Sequence, residues 1–169
     1  YGITKLACEK YAYMFYKLKD LPIVCVRPGN AYGVRQRPFT GQGFIATAIA
    51  SIINQQEVII FGETGTIRDY IYVTDIANGI IAALEHGKPG LCYNIGSGVG
   101  RSNQDILDAL YPFAESAGLE PKVNRLPLRK FDVPINVLDS TKIIKETGWG
   151  KNVSFKDGIE KTWKWLNDN

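Results

Sequence analysis

The chain has 169 residues, 45% apolar and 22% charged, the proportions of an ordinary globular domain, which exclude a disordered or fibrous polypeptide. Its 20 basic and 17 acidic residues leave a net charge of +3, and the cations are scattered. No basic stripe marks a nucleic-acid partner, although two or three placed arginines can still hold a small anion.

Leu6, Tyr11, Met14, Phe15 and Leu18 recur at helical spacing ahead of Leu21-Pro22, which predicts a helix over 2–19. Ile23 to Arg27 is apolar on both alternations and closes on Pro28-Gly29, the pattern of a strand buried on both faces in a parallel sheet. Gly41 to Gly43 opens a second helix, F-I-A-T-A-I-A-S-I-I, and V-I-I-F then reads as a short strand ending at Gly62. I-R-D-Y-I-Y-V, residues 67–73, alternates like a strand and runs into a helix capped by Thr74 or Asp75 that ends near His86-Gly87. L-C-Y-N-I is another strand, and Ser102-Asn103-Gln104-Asp105 is a capping box for a helix running to Ala117-Gly118. Val123 to Leu126 is a further strand, and helices over 139–147 and 154–167 close the chain, the last with Trp163 and Leu166.

This alternation defines an α/β fold without repeats or linkers. The chain starts inside a helix with no strand ahead of it, so residues 1–169 are expected to be the carboxy-terminal part of a longer enzyme. No apolar run approaches the roughly 18 residues of a membrane span, and no leader opens the chain. Cys8, Cys25 and Cys92 lie far apart without metal spacing, as expected of buried thiols in a cytoplasmic protein.

In a helix the first and fifth residues stand one above the other, about 6 Å apart along the axis, so Tyr1 and Lys5 can reach one substrate. A phenol of pKa about 10 is a poor base at neutral pH, but a nearby ammonium favours the phenolate. The same spacing also suits a plain surface pair. V-C-V-R-P-G-N-A-Y-G, residues 24–33, ends a strand in a turn, where open α/β sheets bind ligands. Gly96-Ser97-Gly98-Val99-Gly100 imitates a dinucleotide fingerprint, but Arg101 stands in place of its third glycine; a turn before the Ser102 cap is expected. His86, at a helix end, suits the carbonyl dipole and not catalysis. Asp69 is expected to brace its neighbours and Asp75 to cap a helix.

Taken in order, Y-G-I-T-K, R-P-G-N-A-Y-G and I-R-D-Y-I-Y-V-T-D resemble the extended short-chain dehydrogenase/reductase superfamily, and within it the NAD-dependent nucleotide-sugar epimerase/dehydratase family. The resemblance covers essentially all 169 residues and implies the final Rossmann elements plus a smaller substrate-binding α/β region. By that resemblance Tyr1 is the catalytic proton carrier, Lys5 binds the nicotinamide ribose and lowers the tyrosine's pKa, and Pro28 approaches the nicotinamide. Asn30 contacts the sugar nucleotide near its diphosphate, and Arg68 grips the diphosphate with a guanidinium fork. R-K-F-D-V-P is similar to the family's R-x-G-D-x-P, with Arg129 on the phosphates, Asp132 on the nucleoside ribose and Phe131 in place of the glycine. Val58 to Gly62 matches the segment that reads uracil, where Phe61 packs either on the base or in the core.

The implied reaction is 4-epimerisation of a UDP-sugar of the UDP-glucose/UDP-galactose type through a transient 4-keto intermediate, with NAD as cofactor and no metal. A 4,6-dehydratase or decarboxylase of the same family, and a non-catalytic nucleotide-sugar binding module, are the alternatives. The resemblance also implies a homodimer through the tyrosine-bearing helix, for which Tyr11, Met14 and Phe15 are suitably apolar. The glycine-rich phosphate loop, the acidic ribose ligand and the catalytic Ser or Thr would all precede Tyr1, so the chain alone is expected to be inactive.

Overall fold

The computed structural model describes residues 1–168. In chain order the elements are α1 (Gly2–Lys19), β1 (Cys25–Pro28), β2 (Asn30–Tyr32), α2 (Phe44–Ile53), β3 (Glu57–Phe61), β4 (Ile67–Tyr72) and α3 (Val73–His86). They continue with β5 (Cys92–Ile95), β6 (Gly100–Arg101), α4 (Asn103–Ser116), β7 (Lys122–Leu126), β8 (Ile135–Asn136), α5 (Thr141–Thr147) and α6 (Phe155–Asn167). The strands pair in three small groups: β1 with β5, β3 with β7, and β4 flanked by β2, β6 and β8. All pairings are parallel except β4 with β6.

Two apolar cores result. In one, Val24, Val26, Tyr93 and Ile95 of the β1–β5 region meet Ile76 and Ala83 of α3, Ile143 of α5 and Trp149. In the other, Ile45, Ile49 and Ile52 of α2 pack with Val58 and Ile60 of β3, Ile106 and Leu110 of α4, and Ile159 and Trp163 of α6. The alternation of Val58 and Ile60 inward with Glu57 and Ile59 outward is what a strand covered on one face requires.

Helix α1 belongs to neither core. None of its residues is buried, and its attachments are the Glu9 carboxylate, gripped by the Arg27 guanidinium, and Tyr16, which packs against Gly90. The expectation that residues 23–27 are buried on both faces is therefore corrected. Ile23 to Val26 are half-buried and Arg27 is exposed, because β1 pairs along one edge only and carries just the loosely seated α1 on one face. Cys8 is likewise exposed on α1 and not a buried thiol.

Helix α3 starts directly from the strand, with Tyr72 as N-cap and no side-chain cap. Neither Thr74 nor Asp75 caps it. Asp75 is instead fully buried and accepts hydrogen bonds from the backbone N–H groups of Asn152 (3.0 Å) and Val153 (3.1 Å), pinning the approach to α6. The Ser102–Asp105 capping box forms as its sequence predicts. Helix α5 begins at Thr141, two residues later than expected, because the Asp139 carboxylate turns back to accept the Thr141 N–H.

Gly29 positions the turn between β1 and β2. Its N–H donates to Ile95 O at 2.8 Å, and a Cβ here would stand 2.8 Å from the Asp69 carbonyl oxygen, a backbone atom that cannot swing aside. Gly29→Ala is expected to cost about 1–3 kcal/mol as an overpacked site. The shift of the urea midpoint measures it, and an unchanged midpoint contradicts this close approach.

Candidate functional site

The groups of interest lie at the start of α1, at the β1–β2 turn, on the second residue of β4 and beyond the carboxyl end of β3. Tyr1 and Lys5 share one face of α1: the Lys5 N–H and the Thr4 hydroxyl both donate to Tyr1 O (3.1 and 2.7 Å), and Lys5 Nζ lies 5.4 Å from the Tyr1 ring centre. Tyr1 is 91% exposed. The tyrosines of the neighbouring strands behave differently. Burial pushes Tyr70 up to about 12 and raises Tyr32 as well, so both phenols hold their protons at neutral pH. Reachability singles out Tyr1 from these two.

Pro28 and Asn30 flank Gly29 at the end of β1, and both are exposed. Asn30 opens β2 and pairs with Tyr70 of β4. On β4, Arg68 sits opposite Arg101 of β6 and Asn136 of β8. Its guanidinium donates to Ile67 O at 2.8 Å, and among the described residues no carboxylate forms an ion pair with it. The Arg101 guanidinium lies 4.0 Å from the Phe155 ring centre, and two cations on paired strands together favour an anion nearby. Arg101 is thus a candidate the sequence reading passed over, noticed there only as the residue that breaks a glycine fingerprint. Strand pairing is the signal that finds it, and linear spacing does not carry that signal.

Asp69 explains why Arg68 is left free. It is buried, and its carboxylate accepts from the Ser97 N–H (2.8 Å) and hydroxyl (2.6 Å), the Gly98 N–H (3.1 Å) and the Leu138 N–H (3.2 Å). This is the bracing role read from the sequence. It also accounts for the glycine-rich stretch at 96–100, whose amides at Ser97 and Gly98 are turned onto Asp69 and not outward to a phosphate.

A second constellation forms where β3 ends. The Arg129 guanidinium lies 4.0 Å from the Phe61 ring centre and 5.4 Å from that of Phe131, and it is bonded to Asp132 through Nε and Nη2, each at 2.8 Å. Phe61 is half-buried, its ring lying against the guanidinium at the rim and outside the core cluster. Phe131, in the place of a glycine, is not among the residues with positive φ, so the larger side chain is accommodated without left-handed strain. Among the described residues, no hydrogen bond or ring contact joins this constellation to Tyr1 and Lys5. Nor is any group of three or more His, Cys, Asp or Glu placed to hold a metal ion.

Parallel strand pairs interleaved with helices are the α/β architecture of Rossmann-type enzymes. The model of the NAD dependent epimerase/dehydratase family matches residues 1–96, and the chain belongs to that family. A UDP-glucose 4-epimerase of Mycolicibacterium smegmatis is 30% identical over 162 residues, 96% of this chain and 51% of that protein. A dTDP-D-glucose 4,6-dehydratase of Homo sapiens is 27% identical over 172 residues, 100% of this chain and 48% of its own length. The crystal structure of a UDP-glucose 4-epimerase with UDP-glucose from Thermotoga maritima superposes with a TM-score of 0.91 at 32% identity, covering 99% of this chain and 53% of that one. The chain thus spans about half the length of the curated relatives it matches.

Proposed function

We propose that this chain supplies the proton carrier and the sugar-nucleotide grip of an NAD-dependent UDP-sugar 4-epimerase. The observation that carries this reading is the exposed Tyr1–Lys5 pair on a helix leading into a parallel strand that ends in Pro28-Gly29-Asn30. With the Lys5 ammonium beside it, Tyr1 removes the proton of the sugar's C4 hydroxyl and returns it after the 4-keto sugar has turned over. Arg68, with Arg101 opposite, neutralises the diphosphate beside Asn30. Phe61 and Arg129 form a flat platform for the base, and Asp132, now engaged by Arg129, is within the same constellation to accept a ribose hydroxyl.

NAD, when bound, supplies hydride acceptance at C4. Tyr1, Lys5 and Pro28 fit its nicotinamide end. Its diphosphate has no counterpart in the Gly96–Gly100 loop, because Asp69 already engages the Ser97 and Gly98 amides. We therefore assign turnover to a polypeptide that joins this chain to an amino-terminal half such as its relatives carry, and expect the 169 residues alone to bind without turning over. A second copy is the expected partner of the exposed Tyr11, Met14, Phe15 and Leu18 row on α1. The reading excludes a nucleic-acid partner, and no described helix is long and apolar enough to cross a membrane.

The test is conversion of UDP-glucose to UDP-galactose by the joined polypeptide with NAD. Release of a 4-keto-6-deoxy sugar instead would assign it to the dehydratases, as the similarity to the human dehydratase allows. Binding of UDP without turnover in the joined form would leave a binding module. For the grip itself, Arg68→Ala is expected to weaken UDP-sugar binding more than tenfold, about 1.5–3 kcal/mol for a charge-assisted contact. Calorimetric titration measures it, and unchanged affinity removes Arg68 from the site.

A further inference from the structure

Cys25 and Cys92 are distant in sequence but are direct register partners on the parallel strands β1 and β5. Their side chains consequently project from the same face of the pair. They line a cavity of about 160 Å³ under α1 together with Glu9, Tyr13 and Arg27. The Glu9 carboxylate at the same cavity is bonded to the Arg27 guanidinium, which holds it below the usual carboxylate range. Neither cysteine is tied up in a disulfide, and neither belongs to the nucleotide-sugar grip proposed above.

We propose that Cys25 and Cys92 are a reversible dithiol–disulfide pair, oxidised by a peroxide that enters through this cavity. One sulfur attacks a peroxide oxygen, the O–O bond breaks, and the products are a sulfenic acid and one water. The second sulfur displaces the sulfenic hydroxyl as a second water, so two electrons pass from the thiols to the peroxide and an S–S bond forms. Paired strands lie about 4.8 Å apart, toward the short end of the Cα separations of about 4.4–6.8 Å that disulfides span. A bridge across one rung is strained, and strained disulfides are the easily reduced, regulatory ones.

At rest, burial and the neighbouring Cys92 raise the Cys25 thiol above its ordinary value, with Arg27 acting in the opposite sense. Glu9 lines the same cavity as the two thiols and is the residue through which Arg27 holds α1. The state of the pair is thereby coupled to the seat of the helix that carries Tyr1 and Lys5.

Treatment of the chain with hydrogen peroxide, alkylation and peptide mass mapping tests this. The three free thiols should fall to one, with the Cys25 and Cys92 peptides linked, the protein still monomeric by that linkage, and Cys8 fully alkylated. Millimolar glutathione should restore all of them. Cys8→Ser, on the exposed helix face, should leave the linkage unchanged, and Cys25→Ser should abolish it. Disulfides found only between Cys8 residues of two chains, or sulfinic acid on one of the pair while the other stays alkylatable, would overturn the proposal.

Discussion

Asp69→Ala should destabilise the fold by on the order of 3 kcal/mol, because it leaves several part-buried donors with no acceptor at once. Oδ1 receives the Ser97 N–H and hydroxyl, while Oδ2 receives the N–H groups of Gly98 and Leu138. These donors come from the turn after β5 and the segment after β8, so one carboxylate ties both to β4. Gly96 lies so close to this carboxylate that a Cβ there would collide with it, which leaves no room for another side chain to take over. Asp69→Asn is the sharper variant. Whichever way the amide turns, its NH2 meets two donors, so it too should destabilise although its volume is unchanged. Urea unfolding followed by circular dichroism measures both, and an alanine variant within about 0.5 kcal/mol of wild type would show that water replaces the carboxylate.

Much of this arrangement was legible in the sequence, for definable reasons. Helices α2, α4 and α6 and strands β3 and β4 carry strong apolar periodicity, and that periodicity is set by the cores they build. The Ser102–Asp105 box is local chemistry, so spacing alone reveals it. Strands β2, β6 and β8 are two or three residues long and have no period to detect; they exist because β4 offers them hydrogen-bonding edges. Asp75 has the composition of a cap, but its partners Asn152 and Val153 lie far along the chain and no local rule reaches them. The Cys25–Cys92 pairing was hidden in the same way, since five elements separate β1 from β5 along the chain. Tyr1, Lys5 and Asn30 were named from ordered motifs, and the structure adds their exposure. It does not bring Arg129 and Asp132 to separate partners: it pairs them, and that pairing has to open if each is to serve a different part of a nucleotide.

Tyr1→Phe in the joined polypeptide should lower kcat by about 10²–10⁴, the usual contribution of a positioned acid–base group, while UDP-sugar affinity stays within a few-fold. The ring and its contact with Lys5 Nζ survive the substitution, so only the phenolic proton site is lost. Folding should be untouched as well, because Tyr1 is exposed and contributes through its backbone carbonyl to the first turn of α1. Lys5→Ala should act through the same atom. With the ammonium 5.4 Å from the Tyr1 ring removed, kcat should fall while UDP-sugar affinity stays within a few-fold. Tyr70→Phe and Tyr32→Phe are the controls, since burial keeps both phenols protonated at working pH and neither can take the role. A Tyr1→Phe protein with undiminished kcat would move proton transfer to another group and leave α1 a structural helix whose Y-x-x-x-K spacing is a surface pair.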